Sequence, residues 1–164
     1  MSLTPDCAPV PLPQGLAAFL LSETPAMWHE FALGLDFADP HATIDLLLAA
    51  HAITRSADCD RATAALILAK ATAAGFHRAE APAAFDAGAA RAFALGLAGD
   101  IAAGRFARAR FALPPEALRL IIRQLGPRGA LRLPPLSLGH VPHRARFAFA
   151  GWHPVRRPAQ ARSA

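Results

Sequence analysis

The chain predicts an all-α fold, a small helical bundle of five to six helices with an extended arm rich in proline and arginine, and three observations predict it. Forty-one of the 164 residues are alanine, while tyrosine is absent and glycine is held to 11; alanine has the best helix propensity and little preference for strands. Hydrophobic residues make up 54% and charged residues 18%, enough apolar material for a core and too much for a globally disordered chain. Ten of the 15 prolines lie before residue 14 or after residue 126, where they interrupt any helix. The expected organisation is an extended leader over 1–13, one helical domain over 14–126 and a basic, proline-rich arm over 127–164.

Each helix has local signals. A short apolar helix over 16–22 stops before Thr24-Pro25, and Pro25 suits the first turn of a second helix reaching about Leu35. Trp28, Phe31 and Leu35 fall on one stripe of it, a core face. Asp39-Pro40 predicts the start of a third helix, with Asp39 as N-cap and Ile44, Leu47, Leu48 and His51 buried together. Asp58 is the expected cap of a fourth helix that is apolar on all sides from Ala62 to Ala69, Thr63 excepted. Such a helix belongs at the centre, and Gly75 suits its C-terminal stop. A fifth helix is expected from Pro82 to Gly104 with Phe85, Ala89, Phe93 and Leu97 inward. Its glycines, Gly88, Gly96 and Gly99, each cost about 1 kcal/mol against alanine, which predicts a closely packed neighbour. Pro114-Pro115-Glu116 opens a sixth helix to Leu125, with Leu118, Ile121, Ile122 and Leu125 inward and Arg119 and Arg123 outward, closed by Gly126-Pro127. In the arm, residues 144–149 alternate with a period of two, which fits a strand or an extended segment lying on a surface. The same word stands earlier: Arg108-Ala-Arg-Phe-Ala-Leu113 echoes Arg144-Ala-Arg-Phe-Ala-Phe149, although arginine and alanine are common enough here for chance to produce it.

The net charge of +5 conceals a division, since residues 1–60 hold eight acids and one base whereas residues 61–164 hold 16 bases and four acids. No acid follows Glu116, but nine arginines do. Such an asymmetry either neutralises itself across the fold or marks an interaction surface. Two distant cysteines, Cys7 and Cys59, make no disulfide framework and no zinc pair, which suits a reducing, cytoplasmic compartment. The first 15 residues lack Lys and Arg, and Leu16-Ala-Ala-Phe-Leu-Leu21 is short for a secretory leader. No uncharged, proline-free run approaches the roughly 20 residues that span a bilayer.

The block Trp28-His-Glu-Phe-Ala-Leu-Gly-Leu-Asp36, an amphipathic helix, and then Cys59-Asp-Arg-Ala-Thr-Ala-Ala-Leu-Ile-Leu68 resemble a bacterial family known as domain of unknown function 4274, over about residues 25–78. Cys59, Asp60, Thr63 and Ala64 carry most of the likeness. What it implies is a short helical domain serving as an accessory or immunity-like partner of a larger protein, by analogy. Asp60 and Thr63 also explain themselves locally, as an acid at a helix N-terminus and a hydroxyl able to bond a carbonyl one turn back.

Chemistry is sparse. Seven histidines are present, His140, His143 and His153 the tightest group, yet the arm offers no rigid frame for a zinc, and no metal or cofactor is expected. His51, on an apolar face, reads as a hydrogen-bonded core residue. There is no Gly-x-Ser-x-Gly elbow, no phosphate-binding glycine loop and no His-Glu-x-x-His helix. An enzyme built around Cys59 and Asp60 would require a cleft that gathers them with His29 and Asp36. The strongest binding signal is the arm, where Arg128, Arg132, Arg144, Arg146, Arg156 and Arg157 interleave with Phe147, Phe149 and Trp152. The expected function is a non-catalytic protein-binding module whose arm helps to clasp an acidic protein partner. Nucleic acid is the alternative, with Arg105, Arg108, Arg119 and the arm arginines on one face.

Overall fold

The computed structural model describes residues 15–78 and 81–133. Among these residues the chain is helical without strands, in the order α1 (Leu16–Leu21), α2 (Pro25–Gly34), α3 (Ile44–Arg55), α4 (Arg61–Ala73), a 3₁₀ turn (Phe76–Arg78), α5 (Ala87–Ala102) and α6 (Pro115–Leu125). The all-α expectation holds. The leader up to residue 14, the alternating stretch 144–149 and His140, His143 and His153 lie outside the described residues.

Helix α4 is central, as its composition predicts: Ala62–Ala69 are buried all the way round, and α2, α5 and α6 all pack against it. It stops at Gly75, whose φ of +85° only glycine adopts without strain. Helix α1 lies on α3, and the Trp28 indole donates to the Leu20 carbonyl, tying α1 to α2. Trp28, Phe31 and Leu35 are buried as expected.

Four local expectations are corrected. Asp39 caps a tight turn, accepting from the His41 amide through Oδ1 at 2.7 Å and from the Ala42 amide through its carbonyl, and α3 starts only at Ile44. Aspartate favours such a turn over a helix start because its short side chain reaches its own backbone two residues on. The buried face of α3 is Leu47, Ala49, Ala50, Ile53 and Thr54, with Ile44, Leu48 and His51 exposed. That buried face mixes small Ala49 and Ala50 with Leu47 and Ile53. Helix α4 is capped by Asp60 rather than Asp58; Asp58 instead pairs with Arg108. Helix α5 begins at Ala87 with Asp86 as its cap, accepting from the Ala89 amide at 2.7 Å, and it buries Ala90 while Ala89 stays exposed.

The glycines of α5 are corrected as well. A side-chain carbon built at Gly96 or Gly99 meets nothing within 4 Å, and one at Gly88 meets only the Asp86 carboxylate at 3.2 Å. No neighbour demands glycine at 96 or 99, so Gly96→Ala and Gly99→Ala are each expected to stabilise the fold by about 0.5–1 kcal/mol through lower backbone entropy in the unfolded chain. Urea denaturation tests this, since the midpoint should rise without a change in slope.

Between α5 and α6 the chain runs extended over the start of α4. The Arg61 amide donates to the Arg108 carbonyl at 2.8 Å, the Arg61 Nε to the Phe106 carbonyl at 2.9 Å, and the Arg110 amide to Asp60 Oδ2. The word Arg108-Ala-Arg-Phe-Ala-Leu113 is therefore an extended strap. Its Arg108 meets Asp58 and its Phe111 stacks on the His29 ring at 5.0 Å between centroids.

Candidate functional site

The residues that carry the expected binding role divide into two sets. Arg128 and Arg132 stand exposed just after α6. Arg144, Arg146, Phe147, Phe149, Trp152, Arg156 and Arg157 lie outside the described residues.

Helix α6 is built as an amphipathic element from its ends inward. Pro115 occupies its first turn with Glu116, and Arg123 its last, charges placed to suit the helix dipole. Its terminal carbonyls are satisfied by the returning chain, the Leu131 amide donating to Gln124 and the Leu133 amide to Leu125. Ala117, Ile121 and Leu125 face inward, and α4 is the helix on which α6 packs. Leu118 and Ile122, expected inward, face out, with 39% and 58% of their surfaces exposed. The reason is competition between two adjacent apolar rows, 117/121/125 and 118/122, of which one can face α4; the row with alanine at its head permits the closer approach. The outward row then lies beside Arg119 and Arg123, both exposed. The result is an apolar ridge flanked by guanidinium groups and continued by Arg128 and Arg132, a surface that sequence periodicity alone did not separate from the core.

Two arginines expected to join a phosphate-binding face are engaged within the molecule. Arg105 pairs with Asp100 and donates to the Arg55 carbonyl at 2.8 Å, and Arg108 pairs with Asp58. The Asp58–Arg108 pair joins the acidic half of the chain to the basic half, so part of the charge division is neutralised internally.

The groups named for an enzymatic site are not gathered in one cleft. Cys59 is buried, and its Sγ donates to the Asp60 carbonyl at 3.6 Å. Burial, with the Asp60 charge beside it, pushes the thiol up to about 12, the opposite of what a nucleophile requires. Asp60 spends both oxygens on backbone amides, those of Ala62 and Arg110. His29, also buried, contacts Thr63 Oγ1 through Nδ1 at 2.9 Å and the Ala112 carbonyl through Nε2 at 3.2 Å. The hydroxyl of Thr63 thus reaches across to α2, a pairing 34 residues apart that spacing could not reveal. All four residues of the resembling segment, Cys59, Asp60, Thr63 and Ala64, are buried and account for themselves by cap, strap and packing. Among the described residues no group of three His, Cys, Asp or Glu side chains can hold a metal ion. No helix among them is long and apolar enough to cross a membrane.

Asp36 lies elsewhere, between two hollows that share Gly34, Leu35 and Asp36. One, of about 360 Å³, has Leu16, Phe31, Leu35, Ala42 and Leu46 as its floor and Asp36, Asp39 and His41 at its mouth. The other, of about 430 Å³, reaches Lys70, Ala74 and Leu120 of α6. Lys70 Nζ donates to the Leu33 carbonyl at 2.6 Å and to that of Leu35, closing the C-terminal end of α2. Burial lowers Lys70 to about 8, partly countered by the Asp36 carboxylate.

Lys70 and Cys59, shifted in opposite directions, each make stability depend on pH in the alkaline range. A lysine lowered on folding binds fewer protons folded than unfolded between about 8 and 10.5, so its contribution rises with pH across that window. A thiol raised on folding binds more protons folded than unfolded between 9.0 and about 12, so its contribution falls there. The urea midpoint of the native chain relative to Lys70→Met is therefore expected to rise from pH 8 to pH 10.5, and relative to Cys59→Ala to fall above pH 9. Paired denaturation series, in which all other titrations cancel, check both signs.

Comparisons of the chain with family models, with curated proteins and with solved structures give no match.

Proposed function

We propose that this protein is a non-catalytic binding module, an accessory or immunity-like partner of a larger protein, that docks the outer face of α6 against an acidic surface while the arm extends the contact. One observation carries the reading: Leu118 and Ile122 stand exposed beside Arg119 and Arg123 on a helix that packs through its opposite side. An apolar pair supplies buried area at the centre of an interface, and a rim of arginines supplies orientation and fast encounter with an acidic partner. The amphipathic helix laid in a groove is a common form of such recognition. The thiol of Cys59, buried and hard to ionise, supports a structural rather than a chemical part for the Cys59-Asp60 segment.

The test is retention from host lysate, with and without nuclease, by the tagged full chain and by Leu118→Asp/Ile122→Asp. Both side chains are exposed, so the double variant should keep its helical circular dichroism. A single stoichiometric protein retained after nuclease and reduced at least tenfold by the double variant is the expected result. Material lost with nuclease would replace this reading with nucleic-acid binding through Arg119, Arg123, Arg128 and Arg132.

A further inference from the structure

The strap between α5 and α6 shows how one hexapeptide of this chain binds a helical surface. Arg108-Ala-Arg-Phe-Ala-Leu113 lies extended, its arginine on a carboxylate, Asp58, and its phenylalanine stacked on an imidazole, His29. The chain carries a near-copy, Arg144-Ala-Arg-Phe-Ala-Phe149, outside the described residues. The molecule also offers a second surface of the same chemistry, the hollow of about 360 Å³ with an apolar floor that includes Phe31 and a mouth formed by Asp36, Asp39 and His41.

We infer that the segment Arg144-Ala-Arg-Phe-Ala-Phe149 docks in cis into this hollow, its arginines on Asp36 and Asp39 and a phenylalanine on the apolar floor, as an internal latch.

Three observations favour this occupant. The first is charge: from residue 134 onward the chain has five arginines and no acid, whereas the mouth of the hollow has two carboxylates. Each already accepts a backbone amide through Oδ1, from Ala38 at 2.9 Å and His41 at 2.7 Å, and neither Oδ2 has a hydrogen-bond donor among the described residues. Lys70 shares the field of Asp36 but turns its ammonium onto the Leu33 and Leu35 carbonyls, which leaves Asp39 as the freer partner. The second is reach: ten residues, 134–143, lie between Leu133 and Arg144, and an extended chain covers roughly 36 Å over those 11 steps, about the width of a domain of this size. Leu120 of α6 lines the adjoining hollow, so the groove begins beside the helix from which the arm departs. The third is precedent, because Asp58–Arg108 already pairs the acidic half with the basic half through the first copy of the word.

The latch goes beyond the binding role proposed for α6 and is tested without any partner. An acidic partner would compete with Asp36 and Asp39 for the same arginines, so docking of a partner and release of the latch would be coupled.

The full chain is digested with trypsin for timed intervals, and cleavage after Arg144 and Arg146 is followed by mass spectrometry. Rates are normalised to cleavage after Arg162 and to the same bonds in a synthetic peptide of residues 138–164. The expected result is at least tenfold slower cleavage after Arg144 and Arg146 in the folded chain, relieved by Asp36→Asn/Asp39→Asn and by Phe147→Ala but not by Asp45→Asn. Asparagine keeps the Oδ1 acceptor of each turn and removes the charge, so loss of protection would not reflect a lost turn. Cleavage at the peptide's rate overturns the inference, as does protection that the Asn pair leaves intact. Protection that disappears on dilution would place the contact between two copies and overturn the latch in cis.

Discussion

Phe76→Ala is expected to destabilise the protein by about 3–5 kcal/mol, the range for truncating a buried aromatic ring. Phe76 is fully buried on the 3₁₀ turn after Gly75. Its ring meets Phe37 at 4.8 Å and Phe85 at 5.2 Å between centroids, and Phe37 and Phe85 touch edge to face at 5.8 Å. Edge-to-face and tilted pairs contribute about 0.5–1.5 kcal/mol beyond area burial. The three rings come from three segments: the turn after α2, the turn after α4 and the approach to α5. Removing the middle one leaves a cavity and loosens all three. The domain as a whole is stable by about 5–15 kcal/mol, so the variant should unfold at a much lower urea concentration. Phe76→Leu, which retains most of the volume, is expected to cost less than half as much. A loss below 1 kcal/mol for the alanine variant would mean that the cluster is not a core element.

This aromatic cluster also shows where sequence reading stops. Periodicity located α2, with Trp28, Phe31 and Leu35 buried, and the all-round apolarity of α4 gave its central place, because those signals are local and repeat over a whole helix. Phe37 and Phe76 sit on turns, where there is no period to read; Phe85, expected inward on the fifth helix, is buried but precedes α5, and the meeting of the three rings depends on how three connections fold back together. The same limit applies to His29 with Thr63 and to Asp60 with Arg110. Helix α6 failed differently: Leu118 and Ile122 form an apolar row as regular as Ala117, Ile121 and Leu125, and only the packing on α4 decides which row is covered. That exposed row is the part of the candidate site that the arginine count could not locate. The charge division was legible from the outset, but its partial neutralisation through Asp58–Arg108 required the strap.

Asp60→Ala is expected to cost about 3 kcal/mol, and its value lies in what the companion variants distinguish. Asp60 Oδ1 accepts from the Ala62 amide at 2.8 Å as the cap of α4, and losing such a cap costs about 0.5–2 kcal/mol. Its Oδ2 accepts from the Arg110 amide and holds the strap to the helix start. Alanine would leave that donor unsatisfied at a partly buried position, a further penalty of about 1–3 kcal/mol. Asp60→Asn keeps an oxygen for Ala62 but turns an amide NH₂ toward Arg110, so it should preserve the cap, lose the strap and fall between the native chain and alanine in urea midpoint. Hydrogen exchange separates the two roles: in Asp60→Asn the Arg110 amide should exchange faster while the first turn of α4 remains protected, and in Asp60→Ala both should exchange faster. Were Asp60 instead a chemical group held in a site, Asn would leave stability and exchange unchanged. The bonding of both oxygens to backbone makes the opposite expectation, and it follows that the Cys59-Asp60 segment serves the fold that positions α6.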